Sequence, residues 1–104
     1  MDFKVVWSPS ARLDLMDIVT YIAEDNPALA EKFGTSLIEA SKTLKRFEKQ
    51  GRVVPEFELE NLRELIHKRY RIIYRVKRRE ELIEIVRLWH GARGKPELQP
   101  EDGI

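Results

Sequence analysis

The sequence predicts an α+β domain in the order β-α-α-β-β-β, a helical hairpin packed on one face of a four-stranded antiparallel sheet. Three observations carry this. Ser8-Pro9 and Asn26-Pro27 each precede an apolar rhythm of three- and four-residue steps; residues 70–76 alternate strictly; and a charged turn at 77–81 leads to a second β-rich run ending at His90. With 104 residues and 42% hydrophobic content the chain can bury one core, and a second domain has no room.

Phe3, Val5 and Trp7 alternate with Lys4, Val6 and Ser8, which predicts a short opening strand. Ser8 can accept from the free N–H groups of a first helical turn, and Pro9 lacks the N–H that would go unsatisfied there. In the helix that follows, Ala11, Leu15, Ile18, Val19 and Ile22 form the apolar stripe, with Arg12, Asp14, Asp17 and Glu24 off it. Asn26-Pro27 starts a second helix at once. Its stripe is Ala30, Phe33, Leu37, Ser41, Leu44 and Phe47, and Gly51 is its expected end. Gly34 within that helix costs about 1 kcal/mol relative to Ala, a cost accepted for close packing.

Residues 52–62 are acidic and weakly periodic, which predicts a loop crossing to the sheet. Residues 63–66 make a short strand and His67-Lys68-Arg69 a turn. Tyr70, Ile72, Tyr74 and Val76 then point one way, and Arg71, Ile73 and Arg75 the other. The last strand, Leu82 to His90, breaks alternation, which implies either cover on both faces or a bulge near Arg87. Reversal at every connection gives the strand order 2-3-4-1, with the first strand antiparallel to the last. Arg71 and Arg75 fall on the face without helices, expected to be partly open. The domain is read as residues 1–95, and residues 96–104 as a loose polar tail.

The net charge of +1 conceals a segregation. Residues 1–51 hold 7 Lys/Arg against 8 Asp/Glu, whereas residues 63–95 hold 11 against 4. Such a local excess favours a polyanionic partner, and the plainer alternative is a solvated face with none. The chain has no cysteine, no basic-then-apolar leader and no apolar run approaching ~18 residues, so a soluble cytoplasmic protein without membrane contact is the expectation. No metal or cofactor is expected, since two His and no Cys make a poor metal site.

Val6-Trp7-Ser8-Pro9, Gly51-Arg52-Val53-Val54-Pro55-Glu56, Arg63-Glu64-Leu65, Tyr70-Arg71-Ile72-Ile73-Tyr74-Arg75-Val76 and His90-Gly91-Ala92-Arg93 follow in that order. On these segments, within residues 3–93, the chain resembles the RelE/ParE superfamily. Those proteins are the toxin halves of bacterial type II toxin–antitoxin operons, often called plasmid stabilisation proteins. The resemblance implies a growth-inhibiting toxin neutralised by a cognate antitoxin. It admits three activities: cleavage of mRNA on the ribosome, the leading expectation; a non-enzymatic block of DNA gyrase; or an inactive relative acting only in antitoxin binding.

In one ribonuclease branch the chemistry is assigned to a Glu after Pro in the loop following the second helix, an Arg opening the third strand and a His ending the last. By local motif these positions fall on Glu56, Arg71 and His90. RNA cleavage by its own 2′-hydroxyl needs a base, an acid and a cation on the phosphate. Glu56 and His90 would divide the proton transfers, Arg71 would hold the phosphate, and Arg75, Arg87 and Arg93 would bind flanking phosphates. Plainer roles stand beside these. A lone loop Glu is most often solvated, His90 can cap its strand, His67 lies in a basic turn as surface, and Tyr70, Tyr74 and Trp89 suit packing better than base stacking.

Overall fold

The computed structural model describes residues 2–98. The opening strand β1 (Lys4–Trp7) runs into helix α1 (Pro9–Ala23) through the expected start: Ser8 Oγ accepts from Ala11 N–H at 3.1 Å, with Pro9 in the first turn. The same hydroxyl donates to Val86 O at 3.0 Å, so the cap also ties the helix to the sheet. Helix α2 (Pro27–Lys42) begins identically, Asn26 Oδ1 accepting from Leu29 N–H at 3.1 Å. Gly34 lies where the two helices touch; a Cβ there would come 2.9 Å from Val19 Cγ2, so the glycine allows the close approach.

Helix α2 does not reach Gly51. It ends at Lys42, a 3₁₀ turn covers Thr43–Lys45, and turns follow. Phe47 therefore leaves the apolar stripe and is 62% exposed, while Ala30, Leu37, Ser41 and Leu44 are buried. Gly51 serves another purpose. A side chain there would meet Glu64 O at 2.3 Å and Tyr74 Oη at 2.9 Å, because the backbone at Gly51 lies against the Glu64 carbonyl and donates its N–H to the Tyr74 hydroxyl.

The segment expected as a plain loop contains the two-residue strand β2 (Arg52–Val53), followed by β3 (Leu62–His67), β4 (Tyr70–Lys77) and β5 (Leu82–His90). The sheet has five strands in the order β1-β5-β4-β3-β2. The first and last long strands are neighbours as expected, but they pair in parallel, Val5 opposite Ile83 and Trp7 opposite Ile85. The short β2 is the reason: it adds one reversal of direction, which inverts every later strand relative to β1. All other pairings are antiparallel. The bulge expected near Arg87 is present. Ile73 pairs with Arg87 and Tyr74 with Ile85, leaving Val86 unmatched.

Each face of the sheet has its own core. Ile72, Tyr74, Val76, Ile83, Ile85 and Leu88 pack under Ala11, Ile18, Leu37 and Leu44 of the helical side. On the opposite face Val54, Leu62, Ile73, Val86 and Trp89 form a second cluster, joined by Phe57 and Leu98. That face was expected to be partly open. It is closed because the 52–62 segment folds back over it and the chain after Arg93 lies across it, with Pro96 buried and Leu98 packed. Pro96 and Leu98 of the expected tail thus pack against the sheet; residues 99–104 lie outside the described part.

Candidate functional site

Arg71 opens β4 on the helix-free face, and its side chain is only 9% exposed. A buried guanidinium must find anions, and this one has two. Its Nε donates to Glu64 Oε1, and its terminal nitrogens donate to Glu56 at 2.6 and 3.0 Å. Glu64, on β3, has a fully buried side chain; its other oxygen accepts from Arg52 Nε at 2.6 Å. Arg52, Glu64, Arg71 and Glu56 form one alternating chain of charges from β2 through β3 and β4 to the crossing segment. The hydrogen bonds from Arg71 hold the Glu56 carboxyl below its ordinary 4.5, so at neutral pH it is ionised.

His90 closes β5 at the same end of the sheet. Its Nδ1 accepts from Ala92 N–H at 3.0 Å, which assigns the neutral ring's proton to Nε2. The ring meets Tyr70 edge to face with centroids 5.1 Å apart. Gly91 N–H donates to Arg69 O at 2.8 Å, so the turn after β5 is pinned to the β3–β4 turn. Together these elements bound a cleft of about 520 Å³ lined by Arg52, Glu56, Ile66, Lys68, Arg69, Tyr70, Arg71, His90, Gly91 and Ala92.

Glu56, Arg71 and His90 therefore share one cleft. The flanking cations are arranged differently from expectation. Arg75 and Arg87 do not line it. Arg87 turns to helix α1, its Nε and one terminal nitrogen donating to Asp14 at 2.8 and 3.0 Å. The Arg93 guanidinium stacks on Trp89 at 3.8 Å. Arg75 has Nε and one terminal nitrogen buried without a hydrogen-bond partner among the described residues. Nor does the cationic excess form one surface. Arg63 and Arg78 both reach Glu60, Lys77 reaches Glu84, and the turn at 78–81 lies at the far end of β4, roughly 26 Å from Arg71 at the rise of an extended strand.

The cations that do reach the cleft beside Arg71 are Arg52, Lys68 and Arg69. The signal for Lys68 and Arg69 in the sequence was their turn, which lies where β3 ends and β4 begins; Arg52 carried none. His67 is not plain surface either. Its Nε2 lies 3.0 Å from Ser36 Oγ, and since that hydroxyl donates to Phe33 O, the imidazole is the donor to it. Burial and neighbouring Lys68 keep its pKa below 6.5. Tyr74 and Trp89 are core residues as expected. The Tyr74 hydroxyl donates to Glu48 O and accepts from Gly51 N–H, and Trp89 Nε1 donates to Gly94 O. Among the described residues no helix is long and apolar enough to cross a membrane.

A helical hairpin over a mainly antiparallel sheet is the fold of the RelE/ParE superfamily. The chain belongs within it to the family described as ParE toxin of type II toxin–antitoxin system, parDE, which matches residues 5–94. Among solved structures it is similar to a chain of the chromosomal ParDE toxin–antitoxin system from P. aeruginosa, at TM-score 0.70 and 26% identity over 85% of this chain and 95% of that one. It also shares its fold with a chain of the toxin–antitoxin complex RelBE2 from Mycobacterium tuberculosis, at TM-score 0.64 and 21% identity over 86% and 92%. No curated protein sequence matches this chain significantly.

Proposed function

We infer that this toxin acts by occupying a protein target, DNA gyrase, without cutting RNA, and that a cognate antitoxin encoded beside it neutralises it. The observation that carries this is the mutual engagement of Arg71 and Glu56. A general base needs a pKa near the working pH, and the Glu56 carboxyl is held below 4.5 by the very cation that would have to hold a phosphate. His90 offers no ready substitute, because its free lone pair is spent on Ala92 N–H. An acid and a base that must both break hydrogen bonds before reacting are poorly prepared for catalysis.

Cleavage of mRNA is the second reading, favoured by one fact: Glu56, Arg71 and His90 line the same cleft. In it Glu56 and His90 would exchange protons with the 2′-hydroxyl and the leaving oxygen once Arg71 turned to phosphate. One pair of assays separates the two. Purified protein added to gyrase and relaxed plasmid should stop supercoiling, and added to a translation extract should leave message intact, with His90→Ala behaving as wild type in both. Site-selective transcript cuts that vanish in His90→Ala would overturn the binding reading. The antitoxin is tested by co-expression with the neighbouring open reading frame, where a stable complex that restores growth is expected.

A further inference from the structure

The cleft at Arg71 already contains an anion, and it belongs to the chain. Glu56 presents its carboxylate to both terminal nitrogens of Arg71, the forked geometry by which a guanidinium takes any carboxylate or phosphate. The two halves of the network differ in access. Glu64 is 0% and Arg71 9% exposed, whereas the Glu56 side chain is 29% exposed on a turn whose neighbours Pro55 and Glu58 face solvent. The inner pair is fixed by burial, and the outer carboxylate can be exchanged by a side-chain rotation. Arg52 and Arg71 balance Glu64 and Glu56 while the turn is closed. Release of Glu56 leaves one uncompensated cation in a cleft whose rim also holds Lys68 and Arg69.

We propose that Arg71 is an exchangeable oxyanion site, that Glu56 is its resident pseudo-ligand, and that the true ligand is an acidic segment of a partner protein whose carboxylate takes Glu56's place. This rests on the binding reading above. Two features favour a protein segment over nucleic acid. The aromatic rings that meet at the cleft pack on one another, Tyr70 edge to face with His90 at 5.1 Å and tilted against Phe33 at 5.7 Å, an arrangement that serves packing better than base stacking. The cleft also continues into an apolar groove of about 530 Å³, where Tyr21, Ile22, Leu29 and Phe33 join Lys68, Arg69, Tyr70 and His90. Tyr21 is 75% and Leu29 51% exposed. Apolar side chains beside a carboxylate receptor match an acidic amphipathic segment.

The test is fluorescence anisotropy with two labelled probes, a peptide of mixed Glu and Leu and a single-stranded oligoribonucleotide of similar net charge. Removing the internal competitor in Glu56→Gln should tighten the peptide about tenfold, the scale of one lost charge-assisted competitor. The control Glu58→Gln removes the same charge two residues away and should change it less than about twofold. Arg71→Lys, which keeps the charge and loses the fork, should abolish the gain when combined with Glu56→Gln. Unchanged or weaker peptide binding in Glu56→Gln overturns the pseudo-ligand. An equal gain in Glu58→Gln, or a gain for the oligoribonucleotide as large as for the peptide, overturns the proposed ligand. Gyrase inhibition measured on the same preparations fails or succeeds separately, so loss of the functional reading is not confused with loss of this one.

Discussion

The Arg71 guanidinium and the Glu56 carboxylate are joined by two hydrogen bonds, of 2.6 and 3.0 Å, across fifteen residues of sequence. This pair draws the crossing segment onto the end of β4 and gives the folded state a protonation signature. The Glu56 pKa is depressed, so its contribution to stability is complete above the unfolded value of 4.5 and is lost as pH falls through the folded one. Unfolding free energy followed by urea titration should decline below about pH 4.5, and Glu56→Gln should flatten part of that decline. An acid limb unchanged by the substitution would contradict the pairing.

Glu64 bears more of the structure than Glu56 does. It is wholly buried between Arg52 and Arg71, and Glu64→Ala would leave the Arg71 cation buried with one carboxylate on its outer side alone. A destabilisation of about 3–5 kcal/mol is expected by chemical denaturation, the cost of breaking a buried pair. Glu56→Ala, at the solvent end of the same network, should cost distinctly less.

The bond from β5 to helix α1 is a second internal tie. Asp14 accepts from Arg87 and also from Leu88 N–H at 2.9 Å, so Asp14→Ala takes the carboxylate from Arg87, which keeps its bond to Glu97 O, and strands the backbone donor of Leu88. A loss of about 2–3 kcal/mol is expected, and a double-mutant cycle with Arg87→Ala should return a coupling well above that of a surface pair.

His67 supplies a pH dependence nearer neutrality. Its pKa is lowered by burial, so the neutral ring is the favoured form in the folded protein. The stability it supports is complete above 6.5 and declines as pH falls below that value. An NMR titration should give His67 a midpoint below 6.5, and His67→Gln should remove this part of the decline. A midpoint at or above 6.5 would place the ring in solvent.

At Gly51 the prediction is steric. Gly51→Ala drives a methyl into the Glu64 carbonyl and the Tyr74 hydroxyl, and should cost about 3 kcal/mol in a thermal or urea melt, at the upper end for an overpacked core. The equivalent change at Gly94, whose Cβ would meet open space, is limited to the strain of its φ of +80°.

Both helix starts and the whole span of β5 were legible in the sequence, because Ser8-Pro9, Asn26-Pro27 and the turn at 77–81 are local signals that need no tertiary context. The strand β2 was not, since two residues carry no period, and with it went the direction of β1 relative to β5. Glu56, Arg71 and His90 were singled out by the resemblance alone, and the fold is what brings them to one cleft. What composition could not disclose was that Arg71 is neutralised. Glu64 reads as one residue of a short strand, and only the register that sets it opposite Ile73 brings its carboxylate toward Arg71. The charge excess misled for a related reason. A sum over residues 63–95 takes no account of hairpin geometry, which sends neighbouring cations to opposite ends of the molecule.

Val86, the residue without a partner in the β4–β5 ladder, resets the phase of the last strand. Ahead of it Ile83 and Ile85 look toward the helices; beyond it Leu88 does, while Trp89 looks the other way. Strict alternation carried through this step would turn the end of the chain inside out, seating an indole under the helices and swinging the imidazole of residue 90 away from Tyr70. The placement of the histidine thus depends on a miscount of one, kept in the strand four positions earlier.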